Sequence, residues 1–160
     1  MPLIEWPGNL MLGIPSIDEQ HRVLVVLLNR IHEGLCEGQS SQAIETVIDE
    51  LTAYASMHFA EEEHYLDRYN LPSAEAHRLE HRQFMKYVEE CRDRLGTGDA
   101  LTRTELIYFL AGWITRHIGQ EDHRLVRVAG RIRSASSQPS PAYDEGRSLK
   151  MSCSEGGCCE

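Results

Sequence analysis

The sequence predicts an all-α protein: an antiparallel up-down-up-down bundle of four helices, with an irregular N-terminal arm and a disordered C-terminal tail. Three observations carry this expectation. Four long segments repeat their apolar residues at steps of three and four, and none shows a convincing strand-like alternation. Turn-forming residues separate the segments at short intervals, which favours neighbouring helices packed antiparallel. From about Arg133 the composition turns to Ser, Pro and Gly with few large apolar residues. The bundle is therefore expected over residues 1–133 and the tail over 134–160, and a chain of 160 residues suits a single domain with one core.

Each element has its own signals. Residues 1–14 form the arm, with Trp6 expected as an apolar plug. Pro15-Ser16 precedes the first helix, and Asp18 and Glu19 occupy its opening turn, where the helix dipole favours acids. Its stripe is Ile17, His21, Leu24, Leu28, Ile31 and Leu35. Gly38 to Ser41 breaks the chain before a second stripe of Ile44, Val47, Leu51, Tyr54, His58, Glu62, Tyr65 and Tyr69. Asn70-Leu71-Pro72 separates it from the third, which reads His77, His81, Phe84, Val88, Cys91 and Leu95 and stops at Gly96-Thr97-Gly98. Thr102 and Glu105 have the spacing of a capping box for the fourth helix, whose stripe opens with Leu106, Leu110, Trp113 and His117.

Beyond His117 the same phase meets Glu121, Arg124 and Val128, a charged face. Slipping by one residue gives Asp122, Leu125, Ala129 and Ile132, a coherent inner face. The pattern reads as one residue inserted near Gly119, the signature of a π-bulge, a device that re-aims side chains and often sits at functional sites. Without the bulge Asp122 would lie about 140° around the helix from His117; with it the two converge. Asp122 is thus the preferred partner of His117, and Glu121 the alternative.

Charge narrows the function. The chain has 25 acidic against 16 basic residues, a net −9, which disfavours nucleic acid or an anionic membrane as partner. The longest apolar run, VLVVLL at 23–28, is too short to span a bilayer. The start, MPLIEWPGNL, lacks a basic and apolar leader pattern, so a cytoplasmic location is expected. Charged outer faces point to a monomer. Cys36 and Cys91 read as small buried hydrophobes, while Cys153, Cys158 and Cys159 crowd the last eight residues. An odd count at such spacing is neither a disulfide framework nor a paired zinc motif, and reads as an exposed end.

Histidine carries the chemistry. His21, His58, His77, His81 and His117 lie on core stripes, and every helix contributes at least one. A lone stripe histidine is most often a hydrogen-bonded core residue, but each buried ring without a partner costs about 1–3 kcal/mol. Five together would forfeit several kcal/mol, which a shared metal centre removes. His77 with His81, and His58 with Glu62, stand four residues apart, one turn along the same face. Glu61 and Glu63 point off that face and read as solvated, as do His64 and His123. His32 falls three turns beyond His21, too far to share its metal, and is expected to be hydrogen-bonded at the far end. Five imidazoles and two carboxylates are too many for one ion and suit two. Bridging carboxylates and a bridging solvent oxygen would leave one position open for a small molecule.

These residues resemble the hemerythrins, most closely the single-domain bacterial branch. The motifs are IDEQH (17–21), HFAEE (58–62), HRLEH (77–81) and HIGQED (117–122), within a likeness that covers roughly residues 1–130. The resemblance implies two iron ions with an oxo or hydroxo bridge. His77, His81 and His117 would hold one iron, His21 and His58 the other, and Glu62 and Asp122 would bridge. It further implies reversible binding of dioxygen, end-on at the two-histidine iron as a hydroperoxide, for oxygen storage, transport or delivery to an oxygen-consuming enzyme. An apolar oxygen pocket would come from Leu24, Phe59, Trp113, Ile114 and Ile118, with Gly119 where invertebrate carriers often have a large apolar residue. A roomier pocket and easier oxidation are expected from that glycine. Leu66 stands where bacterial relatives often carry Met, a change of little consequence. The alternative is a di-iron oxidase or peroxidase, or a nitric oxide or oxygen sensor. Ferritin-like oxidases use two Glu-x-x-His pairs, whereas this chain has one such spacing, Glu61 to His64, outside the proposed site. A metal store or structural zinc site is a third class.

Overall fold

The computed structural model describes residues 1–6, 10–96 and 100–136. Helix α1 spans Pro15–Cys36, α2 Ser41–Arg68, α3 Ala74–Gly96 and α4 Ala100–Arg116. A six-residue π-helical turn, His117–Asp122, then leads into α5, His123–Ser136. The residues flanking the turn, Arg116 and His123, are both in the right-handed helical conformation, so α4, the π turn and α5 make one continuous fourth rod. Among the described residues there is no strand. Helix α5 runs on to Ser136, past the expected boundary at 133, and residues 137–160, with Cys153, Cys158 and Cys159, lie outside the described residues.

The ends of the rods follow from local chemistry. Pro15 occupies the first turn of α1, where its missing N–H costs nothing. Gly38 (φ +70°) ends α1 and Asn70 (φ +50°) ends α2, each in the left-handed conformation that returns two amides to the last turn. Gln39 N donates to Gly34 O at 2.9 Å and Leu71 N to Leu66 O at 3.3 Å, completing the same cap at both ends. Ser40 caps α2, its side chain accepting from Ala43 N. Thr102 lies buried inside α4 rather than ahead of it, so the capping box expected from Thr102 and Glu105 does not start this helix.

Four rods with apolar faces bury them against one another. The main core gathers Leu24, Leu28 and Ile31 of α1 with Ile44, Ile48 and Leu51 of α2, Phe84 and Val88 of α3, and Leu106 and Leu110 of α4. A smaller cluster of Leu66, Leu71 and Leu125 closes the other end. The α1 and α3 stripes are buried as predicted, save for half-buried Leu35. In α2 the tyrosines and Val47 are only half-buried, and Ile48, Ala55, Phe59 and Leu66 take the core positions instead. The inner face of that 28-residue helix runs one residue beyond the tyrosines. Cys36 is exposed, contrary to expectation, because it stands one residue past the Leu35 stripe at the end of α1. No described helix is long and apolar enough to cross a membrane.

The arm is tied down by the Asn29 side chain, which accepts from Leu3 N and Ile4 N, and by the Asp18 carboxylate. Asp18 is buried and accepts from Leu12 N at 2.6 Å and Gly13 N at 2.9 Å, while half-buried Ile4 and Trp6 rest against the main core. Replacing Asp18 by Ala strands two amides, and the expected cost is about 1–3 kcal/mol. Urea unfolding measures it, and a variant as stable as the parent shows that Asp18 does not anchor the arm.

Candidate metal centre

Between the two apolar clusters lies a polar layer. On α2 it falls between Ala55 and Leu66, and on the fourth rod between Ile114 and Leu125. His21, His58, Glu62, His77, His81, His117 and Asp122 are each at least 95% buried there, far from the usual place of such groups. They come from the start of α1, the end of α2, the start of α3 and the π turn, levels that antiparallel packing brings together.

The layer has two halves that share a carboxylate. Glu62, His77, His81 and His117 offer donor atoms all within 4.8 Å of one another, and so do His21, His58 and Glu62. Glu62 Oε2 stands 3.2 Å from both His77 Nε2 and His81 Nε2, and 3.9 Å from His58 Nε2. Asp122 divides its oxygens between the halves. Its Oδ1 lies 3.3 Å from His117 Nε2 and 3.5 Å from His77 Nε2, and its Oδ2 lies 3.4 Å from His21 Nε2. The π turn is what aims Asp122 inward. Glu121, the alternative, pairs with Arg124 on the surface instead.

Outside the layer, three of the rings are held from behind. His58 Nδ1 meets Gln20 Oε1 at 2.9 Å, His81 Nδ1 meets Glu63 Oε1 at 2.9 Å, and His117 Nδ1 meets Glu80 Oε2 at 3.0 Å. Sequence periodicity missed these partners, and Glu63 was expected to be solvated. A carboxylate can only accept, so a neutral imidazole that donates from Nδ1 to its outer carboxylate, as the geometry of His81 and His117 allows, turns a bare Nε2 lone pair inward. Gln20 Nε2 donates to Glu61, which leaves the Gln20 carbonyl to accept from His58 and fixes that ring the same way.

This proton placement tests whether the layer fits a metal. His81 Nε2 and His117 Nε2 approach to 3.0 Å, and two rings that each donate outward from Nδ1 as neutral imidazoles have no proton to share there. Both ring nitrogens of His21 and both oxygens of Asp122 are buried without a hydrogen-bond partner. Burial is also the main force on the charges: it pushes His21 down to about 3 and His117 well below the usual imidazole value. Burial and the neighbouring Glu62 drive the Asp122 carboxyl well above its ordinary range. Burial also works to raise Glu62, but the hydrogen bond to His77 at 3.2 Å and the other nearby rings outweigh it and hold that carboxyl low. Converging lone pairs, orphaned donors and two adjacent carboxyls all call for cations at the middle, and the residues fit such a centre.

The expected oxygen-pocket residues surround this layer on its core side. Leu24, Phe59, Trp113, Ile114 and Ile118 are buried, and Gly119 is half-buried. Phe59 stacks on His81 with ring centroids 3.9 Å apart, and Trp113 stacks on His117 at 4.0 Å. Of the other histidines, His64 is exposed, His123 is half-buried, and His32 Nε2 lies 3.4 Å from Cys36 Sγ.

Fold and layer together define a class, the helical bundles that bury a histidine–carboxylate metal centre. Residues 12–129 match the family described as the hemerythrin HHE cation binding domain. The chain belongs to the hemerythrin family, which implies a di-iron centre. It is 36% identical to a bacteriohemerythrin of Stenotrophomonas maltophilia over 76% of this chain and 78% of that one. A bacteriohemerythrin of Pseudomonas aeruginosa is 34% identical over the same shares. One from Clostridium acetobutylicum is 31% identical over 76% of this chain and 97% of its own. A solved structure of a leucine-to-phenylalanine mutant superposes with a TM-score of 0.71 at 22% identity, covering 81% of this chain and 98% of that one, which supports the fold.

Stripped of metal, the layer makes the protein acid-sensitive. His21, His58 and His117 have folded values below 6.5, so the unfolded chain takes up their protons first and stability falls as pH drops below 6.5. Asp122 works the other way, its raised carboxyl taking a proton in the folded state, but one group opposes three. The metal-free protein is therefore expected to have a lower urea midpoint at pH 5 than at pH 7. An unchanged or higher midpoint at pH 5 contradicts the burial of neutral rings.

Proposed function

We propose that the chain binds dioxygen reversibly at a di-iron centre, with His77, His81 and His117 holding one iron, His21 and His58 the other, and Glu62 and Asp122 bridging. The observation that supports this most directly is the unequal division of histidines, three against two, around shared carboxylates. Two bridges and three imidazoles nearly fill one coordination sphere, whereas two bridges and two imidazoles leave room for a small ligand. Two ferrous ions supply, when bound, the two electrons that dioxygen takes up and gives back.

The protein's own part is to orient and to keep dry. Gln20, Glu63 and Glu80 fix the ring orientations of His58, His81 and His117. Leu24, Phe59, Trp113, Ile114 and Ile118 line the core side with apolar surface, which disfavours water and charged species beside the reduced centre. The curated relatives are named bacteriohemerythrin, which favours an oxygen carrier over an oxidase. In this reading the chain stores dioxygen or passes it to an oxygen-consuming enzyme.

The test is an optical titration of the reduced, iron-loaded protein with dioxygen. A band that appears with oxygen and vanishes on deoxygenation supports a carrier; irreversible bleaching, or turnover of an added reductant, points to an oxidase. Protein grown with ample iron is expected to carry two irons per chain. Asp122→Ala is expected to carry fewer, and His64→Ala to keep both. Parent protein with fewer than two irons rejects the di-iron assignment.

A further inference from the structure

The residues behind the histidines form a relay from helix to helix. Gln20 of α1 supports His58 of α2, Glu63 of α2 supports His81 of α3, and Glu80 of α3 supports His117 of the π turn. Each supporter stands beside a residue of the layer in sequence: Gln20 before His21, Glu63 after Glu62, Glu80 before His81. The relay is not uniform in charge. In the three-histidine half both acceptors are carboxylates, and in the two-histidine half the acceptor is a neutral amide. His21 in that half has no hydrogen-bond partner on Nδ1 at all.

Acceptor charge matters to what a ring can donate. An imidazole whose Nδ1–H is drawn to a carboxylate gives more electron density through Nε2 and favours the higher oxidation state of the metal it holds; an amide draws less. Glu63 and Glu80 each also have an arginine on the outer side, Arg78 at 3.7 Å and Arg116 at 3.3 Å. Those cations pin the carboxylates, but they lie toward solvent, where their charge is better screened. Gln20 is itself clamped, because its amide donates to Glu61. A carboxylate thus stands near His58 yet is held one amide away from it.

We propose that Gln20 is a tuning residue, keeping the two-histidine position less electron-rich than the three-histidine one so that the half with room for a ligand resists permanent oxidation. This rests on the di-iron reading above. Gln20 acts through His58 and positions that ring.

The experiment exchanges the two neighbours. The double variant Gln20→Glu, Glu61→Gln brings the carboxylate against His58 while keeping net charge and the hydrogen-bonded chain. Iron is counted first, and fewer than two irons in the parent protein fails the site assignment rather than this inference. With two irons bound, the exchange is expected to lower the midpoint potential of the centre and to speed autoxidation several-fold. Glu63→Gln is expected to raise the potential, and to speed iron loss to a chelator by about tenfold. This second variant carries the opposite sign and serves if the exchange does not fold. A potential that stays put or rises in the exchange, or that stays put or falls in Glu63→Gln, overturns the proposal.

Discussion

Seven polar side chains meet where four helices cross, out of reach of water, and they satisfy one another only in part: His77 bonds Glu62 at 3.2 Å, while His21 and Asp122 have no hydrogen-bond partner. The two rings supported by carboxylates, His81 and His117, donate outward and turn acceptors inward, and both oxygens of Asp122 lack donors. An interior so rich in acceptors is stable when cations take the place that water has lost. Everything else about the molecule follows from meeting that demand. The bundle supplies the burial, the apolar clusters on either side exclude water, and the outer hydrogen bonds fix which nitrogen faces inward. Remove the cations and the same burial that sharpens the site becomes a cost, carried by rings that resist protonation and a carboxyl that resists ionisation.

The π turn shows how local backbone serves that demand. In an unbroken α-helix the residue five after His117 points to another face, and the one four after it, Glu121, shares the histidine's side. One extra residue per turn reverses the choice, sending Asp122 into the layer and Glu121 out to Arg124. It also resets the rod, so that Leu125 returns to an apolar cluster instead of facing solvent. A single insertion thereby aligns a carboxylate with both halves of the site and keeps the helix amphipathic beyond it.

Much of this was legible because ligand-type residues sit on the stripe that periodicity tracks. The slip from Glu121 to Asp122 showed up as a break in the apolar phase, and all seven polar residues of the layer were found that way. The supporting shell was not legible for the complementary reason. Gln20, Glu63 and Glu80 lie at the flank of the stripe, where a polar side chain looks the same whether it meets water or a histidine on the next helix. Their one sequence signal is adjacency to a residue of the layer. Cys36 was misplaced because one step of 100° at a helix end decides between core and surface, and Thr102 because the fourth helix already begins at Ala100. The α2 stripe drifted for a related reason: tyrosines are apolar enough to join a pattern and polar enough to stay half outside it.

The aromatic contacts add a mechanical asymmetry to the chemical one. Phe59 lies flat on His81, and Trp113 lies nearly flat on His117. Phe84 packs against both aromatics and ties them to the main core. Two rings of the three-histidine half are therefore fixed on one face by packing and at Nδ1 by a carboxylate. His21 and His58 instead meet each other edge to face, and His21 has no hydrogen bond to hold its orientation. In the proposed centre the three-histidine half is thus the more heavily braced, while the two-histidine half rests on the Gln20 amide and an edge-to-face ring contact. Close packing resists a change of shape in proportion to the contacts it must break, so under the proposed assignment a ligand at the two-histidine half would disturb fewer of these stacked and hydrogen-bonded contacts than one at the other half.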